Sequence, residues 1–393
     1  MHISEALMIT SGALIGWVMS RRVDKATPRR APSQDYLAGV NFLVKDQPDR
    51  AVEAFLRAVK VERDMVETQF ALGALFRRRG ELERAIRVHQ DLLNREALEP
   101  SFREQAAYAL SQDYQRAGLM DRAEALLLQL KTSTNYRLTA LEDLLSLYEM
   151  QREWQKAIDT FKEFAAEAKV PYPHAQAHYY CELAEEAIAA SQLEQAKSLL
   201  QKAFKLHKNF ARAGLIEAKI NLLEHKTDTA ISALLTLLST DARLTLEIVP
   251  LLKQSFELRY QGSELDAAWE RVAHLAGQPT SGATTLKDAL AISLLVLGVL
   301  NTPALQALVR GYIEREPLLG GLLNAFEVAN TPWPLERLSK ISAVLKHQAL
   351  NQARYRCGEC GFSSRWFFWQ CPGCRRWDAW VNVSPTEPSG ANG

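Results

Sequence analysis

Charge of one sign is what this chain most lacks: 47 Lys and Arg face 46 Asp and Glu, a formal net charge of +1. Without an overall basic field, nothing draws the chain as a whole to nucleic acid, and any such role needs a local patch. Cysteine is scarce. Five in 393 residues exclude a disulfide-stapled secreted scaffold. Also absent are a G-x-x-x-x-G-K-[ST] phosphate loop, a G-x-G-x-x-G after a strand, a G-x-S-x-G elbow and an H-E-x-x-H helix. An enzyme would need other machinery, and no catalytic residue stands out. What remains is an ordinary globular composition, 47% hydrophobic and 24% charged, long enough for two or three domains or one elongated repeat array.

One apolar run stands out. Ala6 to Met19 is uncharged, and Arg21 and Arg22 follow at once. As a helix, the stretch from Met1 to Met19 would extend about 28 Å, just enough for a hydrocarbon layer of about 30 Å if the arginines snorkel and Glu5 sits at the far interface. A secretory signal carries its positive charge before the apolar stretch. Here it comes after, with no A-x-A site, so residues 1–20 read as a transmembrane anchor rather than a short buried helix. Arg21, Arg22, Lys25, Arg29 and Arg30 against Asp24 put the C-terminal side of the anchor in the cytoplasm. Residues 21–34, with two prolines among the basic residues, read as a juxtamembrane linker drawn to anionic lipid.

From residue 35 to about 350 apolar residues recur at helical spacing. Within that stretch Ala51, Ala85, Ala123, Ala157, Ala196 and Ala230 succeed one another at intervals of 34, 38, 34, 39 and 34 residues, the tetratricopeptide period. Each alanine opens the second helix of a pair where it crosses the first. Twelve residues earlier stand Gly39, Gly73, Ser111, Ala184 and Ala218, small again, while Leu145 breaks the rule. Gly80 and Gly118, five residues before their alanines, end first helices in left-handed geometry, and Phe55 and Phe161 fill a large apolar slot. The expectation is repeats over 35–261 and degenerate helical repeats over 262–350. A solenoid of such pairs lines its concave groove with first helices, which suits peptide or protein segments. Arg77, Arg78, Arg79, Arg84 and Arg87 could add an acid-binding patch to it, though most charge runs are solvated helix faces.

Four of the five cysteines, Cys357, Cys360, Cys371 and Cys374, form C-x2-C-x10-C-x2-C. Two such knuckles supply four soft ligands to one tetrahedral Fe or Zn ion. The segment 354–383 is too short to bury a core of its own, and metal binding worth roughly 10–16 kcal/mol can fold it. Trp366, Trp369, Trp377 and Trp380, with Phe362, Phe367 and Phe368, can wrap the resulting β-ribbon and keep water from the sulfurs. Two disulfides or a redox dithiol are the competing readings of the array, and an electron carrier is another. Arg354, Arg356, Arg365, Arg375 and Arg376 among the aromatics leave single-stranded nucleic acid as a further alternative ligand. His174, His178 and Cys181 share one helical face but read as packing residues, because no carboxylate at the right spacing completes a metal triad. Residues 384–393 read as a disordered tail.

The order anchor, repeats, four-cysteine ribbon, together with DYLAGVNFLV at 35–44, ALGALFRRRGELERAIRVHQDLL at 71–93, YRCGECGF at 355–362 and FWQCPGC at 368–374, resembles the lipopolysaccharide assembly protein B (LapB) family. The resemblance implies an all-α tetratricopeptide-repeat solenoid with an N-terminal transmembrane helix and a rubredoxin-like ribbon packed back on the repeats. It implies a regulator at the inner membrane of Gram-negative bacteria, on the cytoplasmic side, and not an enzyme. Its partners would be a membrane-bound ATP-dependent metalloprotease and the deacetylase of the lipid A pathway, presented to that protease, with other lipopolysaccharide synthesis or transport proteins beside them. A scaffold assembling the synthesis enzymes is the alternative. The metal ligands carry over to Cys357, Cys360, Cys371 and Cys374. Cys181 matches no ligand position.

Overall fold

The computed structural model describes residues 34–61, 66–168, 174–277, 283–315 and 355–382. The expected anchor, nearly all of the linker, the helices expected after residue 315 and the tail lie outside these residues. Among the described residues no helix is long and apolar enough to cross a membrane.

The chain divides into two compact units, Met1–Leu147 and Tyr148–Gly393. The first holds α1 (Gln34–Val44), α2 (Pro48–Val61), α3 (Val66–Arg78), α4 (Leu82–Leu93), α5 (Pro100–Arg116), α6 (Met120–Leu130) and most of α7 (Arg137–Gln151). These are antiparallel pairs, and the small residues sit where the pairs cross. Ala51, Ala85 and Ala123 are wholly buried. A Cβ on Gly39 would lie 2.6 Å from the Phe55 ring, and one on Gly73 would meet the His89 imidazole. The period in the sequence is therefore a period of close approaches.

The turns between these paired helices use a left-handed residue five positions before the repeating alanine. In the first unit these are Asp46, Gly80 and Gly118, and in the second Arg152, Ser191, His225 and Gly262, with φ between 52° and 78°. The residue after the turn donates its N–H back to the last helical turn, as Glu81 to Phe76 at 2.9 Å and Lys226 to Asn221 at 2.8 Å do. That bond satisfies a carbonyl the helix end would orphan.

A buried ionic knot ties α3, α4 and α5. Asp113, wholly buried, receives Arg77 Nη1 at 2.8 Å and faces His89 Nδ1 at 2.5 Å. Arg78 pairs with Asp46, Arg79 with Asp49 and Glu81, and Arg84 with Glu81. The arginines at 77, 78, 79 and 84 are thus matched to the chain's own acids, and the acid-binding patch contemplated from the sequence is largely neutralised.

The second unit continues with α8 (Trp154–Ala168), α9 (His174–Ala189), α10 (Leu193–Leu206), α11 (Ala211–Leu223), α12 (Thr227–Thr240), a 3-10 turn (Ala242–Leu244), α13 (Thr245–Arg259), α14 (Ser263–Gly277), α15 (Ala283–Leu297) and α16 (Pro303–Arg315). One apolar core runs from Leu215 to Tyr312, with Trp269 and Phe256 in edge contact at 5.0 Å. Hairpins persist where the alanine signature fades. Gly298 (φ 69°) closes α15 before α16, with Val299 N–H on Leu294 C=O at 3.0 Å.

The ribbon belongs to this unit. Strands β1 (Tyr355–Cys357), β2 (Ser363–Ser364) and β3 (Trp380–Asn382) form an antiparallel sheet in the order β2-β1-β3, with Tyr355 opposite Ser364 and Cys357 opposite Trp380. Tyr355, Cys357, Cys371 and Trp380 make its small core, and Leu246 of α13 packs against it.

A four-thiol centre seated on the repeat helices

The two knuckles are built alike. Gly361 N–H bonds to Cys357 C=O at 2.9 Å and Arg375 N–H to Cys371 C=O at 2.8 Å. The residue after each Cys-x-x-Cys is left-handed, Gly361 at φ 74° and Arg375 at 59°. Each turn thereby aims two thiols at one point. Cys357 Sγ lies 3.6 Å from Cys374 Sγ, and Cys360 Sγ 3.7 Å from Cys371 Sγ. Sulfurs about 2.3 Å from a single tetrahedral ion stand about 3.8 Å apart; these two separations match that spacing, and all four sulfurs lie within 4.8 Å of one another. A Cβ on Gly373 would press on Cys360 Sγ at 3.3 Å, which keeps that position free of a side chain.

The thiols differ in ease of ionisation. Burial pushes Cys357 up, but the backbone N–H groups of Cys360 and Glu359, with the neighbouring thiols, outweigh it and bring it down to about 7. Burial holds Cys371 up. Cys374 stands at about 12: the Arg376 N–H lowers it, while burial and the other three sulfurs raise it more. One thiolate forms readily and each further one meets like charge, the behaviour of a donor set completed by a cation. Iron and zinc accept the same four sulfurs. Cys181 is different, buried in α9 and held up at about 12 by desolvation, an inert packing residue.

The second knuckle does more than hold sulfur. Gln370 and Trp377, bridged to each other beside it, face the first helices of the repeats. Glu149 near the end of α7 receives Gln370 Nε2 at 2.9 Å, Trp377 Nε1 at 3.1 Å and the Tyr179 hydroxyl at 2.5 Å. The Trp377 ring stacks on His178 with centroids 4.4 Å apart and meets Trp154 at 6.3 Å. Arg212, 2% exposed at the start of α11, lies 5.5 Å from the Trp369 ring and 5.8 Å from Trp377, its charge balanced by Glu182 at 2.7 Å and Glu185 at 2.8 Å. Asp378 Oδ2 faces His178 Nε2 at 2.9 Å, and Arg243 reaches the Asp378 carbonyl at 3.4 Å. Burial brings His178 down to about 4 against the influence of Asp378, so the ring is neutral. Burial pushes the Asp378 carboxyl up, but the hydrogen bond from His178 and the charge of Arg243 help to hold it below its ordinary value.

The sequence brought the four cysteines together and the structure does the same. The tryptophans divide. Trp380 is buried in the ribbon against Tyr355, Phe362 and Phe368, whereas Trp369 and Trp377 turn to the repeats and Trp366 is exposed. The wrap expected around the sulfurs is therefore partly a seam. Sequence reasoning missed Glu149, Arg212, Arg243 and Asp378, whose partners stand up to 228 residues away.

Residues 355–381 match the family described as the rubredoxin metal binding domain. Among solved structures, kinesin light chain TPR-like repeats from Podosopora anserina align with 48% of this chain and 98% of that chain at 20% identity and a TM-score of 0.32. At that score the hairpins described above, not the likeness, establish the repeat fold. Lipopolysaccharide assembly protein B of Escherichia coli (strain K12) is 33% identical over 390 residues, 96% of this chain and 97% of that protein. The protein of the same name from Haemophilus influenzae is 30% identical over 403 residues, 97% and 98% of the two chains. Two relatives at this identity, matched almost end to end with the ribbon included, mean that the chain belongs to the lipopolysaccharide assembly protein B family.

Proposed function

We propose that this protein regulates lipopolysaccharide assembly as a non-enzymatic adaptor. It would be anchored in the bacterial inner membrane by residues 1–20 and would present its repeats to the cytoplasm. In this reading Cys357, Cys360, Cys371 and Cys374 hold one tetrahedral Fe or Zn ion. Its function is to bring the deacetylase of the lipid A pathway to a membrane-bound ATP-dependent metalloprotease and so to limit synthesis. The observation that carries the reading is the end-to-end match to proteins named for lipopolysaccharide assembly, joined to an architecture of stacked hairpins whose first helices already hold a protein segment, the ribbon. Helices that grip Trp377 and Asp378 in cis are built to grip protein. Confinement to a membrane raises the effective concentration of a held client beside a membrane protease.

Depletion tests the reading. The deacetylase should persist longer and lipopolysaccharide content should rise when the protein is withdrawn, and unchanged values of both would defeat the proposal. A scaffold for synthesis enzymes predicts instead that those enzymes co-purify from detergent extract without the protease.

A further inference from the structure

Where the ribbon meets α9, three donors that chemistry would group as metal ligands converge. His174 and His178 lie one turn apart on α9, and both imidazoles face the same oxygen of a residue two hundred positions later. Asp378 Oδ2 is 2.9 Å from His178 Nε2 and 3.8 Å from His174 Nδ1. The three donor atoms lie within 4.8 Å of one another. Ligands about 2.1 Å from a common ion stand about 3.4 Å apart in a tetrahedral shell, and the two separations from Asp378 Oδ2 each differ from that by about half an ångström. The carboxylate that the α9 sequence lacked is supplied by the ribbon.

We propose that His174, His178 and Asp378 bind a second divalent transition-metal ion, distinct from the four-thiol centre, which fastens the ribbon to α9. Three features support it. Two imidazoles and one carboxylate form a donor set that suits Zn, Co, Ni or Cu and not the hard cations Mg and Ca. Acidic groups exceed basic ones nearby: Asp378, Asp241, Glu182 and Glu185 stand against Arg212 and Arg243, with Arg212 paired to Glu182 and Glu185 and Arg243 to Asp241 at 2.6 Å. The site is also reachable and open, since the His174 side chain is 47% exposed. A third imidazole, His207, lies 4.9 Å from His174 between ring centroids, and its buried Nδ1 has no hydrogen-bond partner among the described residues.

One neighbour weakens the site. Arg212 Nη1 stands 3.4 Å from His178 Nδ1, where a metal-bound histidine usually donates to a carboxylate or carbonyl. The contact is long and the other arm of the guanidinium serves Glu182 and Glu185, so it leaves the ring free to bind through Nε2. The second ion is accordingly held less tightly than the thiolate-bound one.

Full-length protein with its thiolate centre already loaded should be titrated with Co²⁺ and monitored by visible absorption and calorimetry. The wild type should bind one further Co²⁺ per chain, with d–d bands but no added thiolate charge-transfer band. His174→Ala, at a half-exposed position that keeps the fold, should weaken this binding at least tenfold, and Asp378→Asn should abolish it. If the loaded wild type takes up no further ion, or if His174→Ala binds it as well as the wild type, then His178 and Asp378 form only a hydrogen-bonded pair and the proposal fails. Should Asp378→Asn not fold, the His174→Ala comparison alone decides.

Discussion

An alanine at Gly73 would drive its Cβ into His89, a ring fixed on its other side by Asp113. Gly80 has open space around it and a left-handed backbone. The same substitution is thus costly at both positions for different reasons. Gly73→Ala should lose about 1–3 kcal/mol through overpacking, and Gly80→Ala about 1 kcal/mol through backbone strain. Denaturant unfolding measures both, and pairing Gly73→Ala with His89→Ala should recover part of the first loss and none of the second. Tyr108 offers a test by pH. Burial first, and then the Asp143 carboxylate hydrogen-bonded to it, hold its phenol up at about 12. The native state therefore keeps a proton that the unfolded chain releases near 10, and stability from this group is lost as pH rises between the two. Asp143→Asn should bring the phenolate absorbance of Tyr108 to lower pH, with Tyr108→Phe identifying the signal. At this scale the alanines were legible because close approach tolerates nothing larger. The left-handed turns were half hidden: Gly80 and Gly118 announce them, but Asp46, Arg152, Ser191 and His225 adopt the same geometry, since the helices on either side dictate the turn and override the residue's preference.

Among elements, the knuckles were readable from spacing alone, because two residues between cysteines leave little choice of turn. The seam was not. Glu149 accepts from Tyr179, Trp377 and Gln370, three donors brought by one helix and the ribbon, and no local pattern encodes a meeting of that kind. Glu149→Ala should leave the buried Tyr179 hydroxyl without its acceptor and release the half-buried Gln370 and Trp377 donors. The expected result is a loss of about 3 kcal/mol in the second unit and a red shift of Trp377 fluorescence as its indole N–H turns to solvent. Unchanged emission would mean that the stack on His178 alone holds the ring. Arg212 behaves differently. It is neutralised by Glu182 and Glu185 of α9 whether or not the ribbon is present, so its pairing is a property of the helices. The fading of the alanine signature after Ala230 misled only about sequence, since the Gly298 turn and the continuous core to Tyr312 keep α13 to α16 in the same hairpin plan.

For the molecule as a whole, the question is how far folding of the ribbon and folding of the repeats depend on each other. The ribbon buries a core of four residues, Tyr355, Cys357, Cys371 and Trp380, too little to hold it without an ion worth roughly 10–16 kcal/mol. The helices that seat it carry their own apolar cores, from Ala177 to Ile220 and from Leu215 to Tyr312, and the charge of their buried Arg212 is balanced by Glu182 and Glu185 without it. Dependence should run one way. Cys371→Ser should remove one ion per chain and cost the ribbon its amide protection. Helices α9 to α13 should keep their slow hydrogen exchange, while the seat at His178, Trp154 and Leu246 opens to water and binds a hydrophobic dye. Melting of α9 to α13 together with the ribbon would show the reverse dependence. If the helices persist, adaptor activity lost in Cys371→Ser is lost because the ribbon has left its seat, and loss of the metal then separates two states of a folded repeat array.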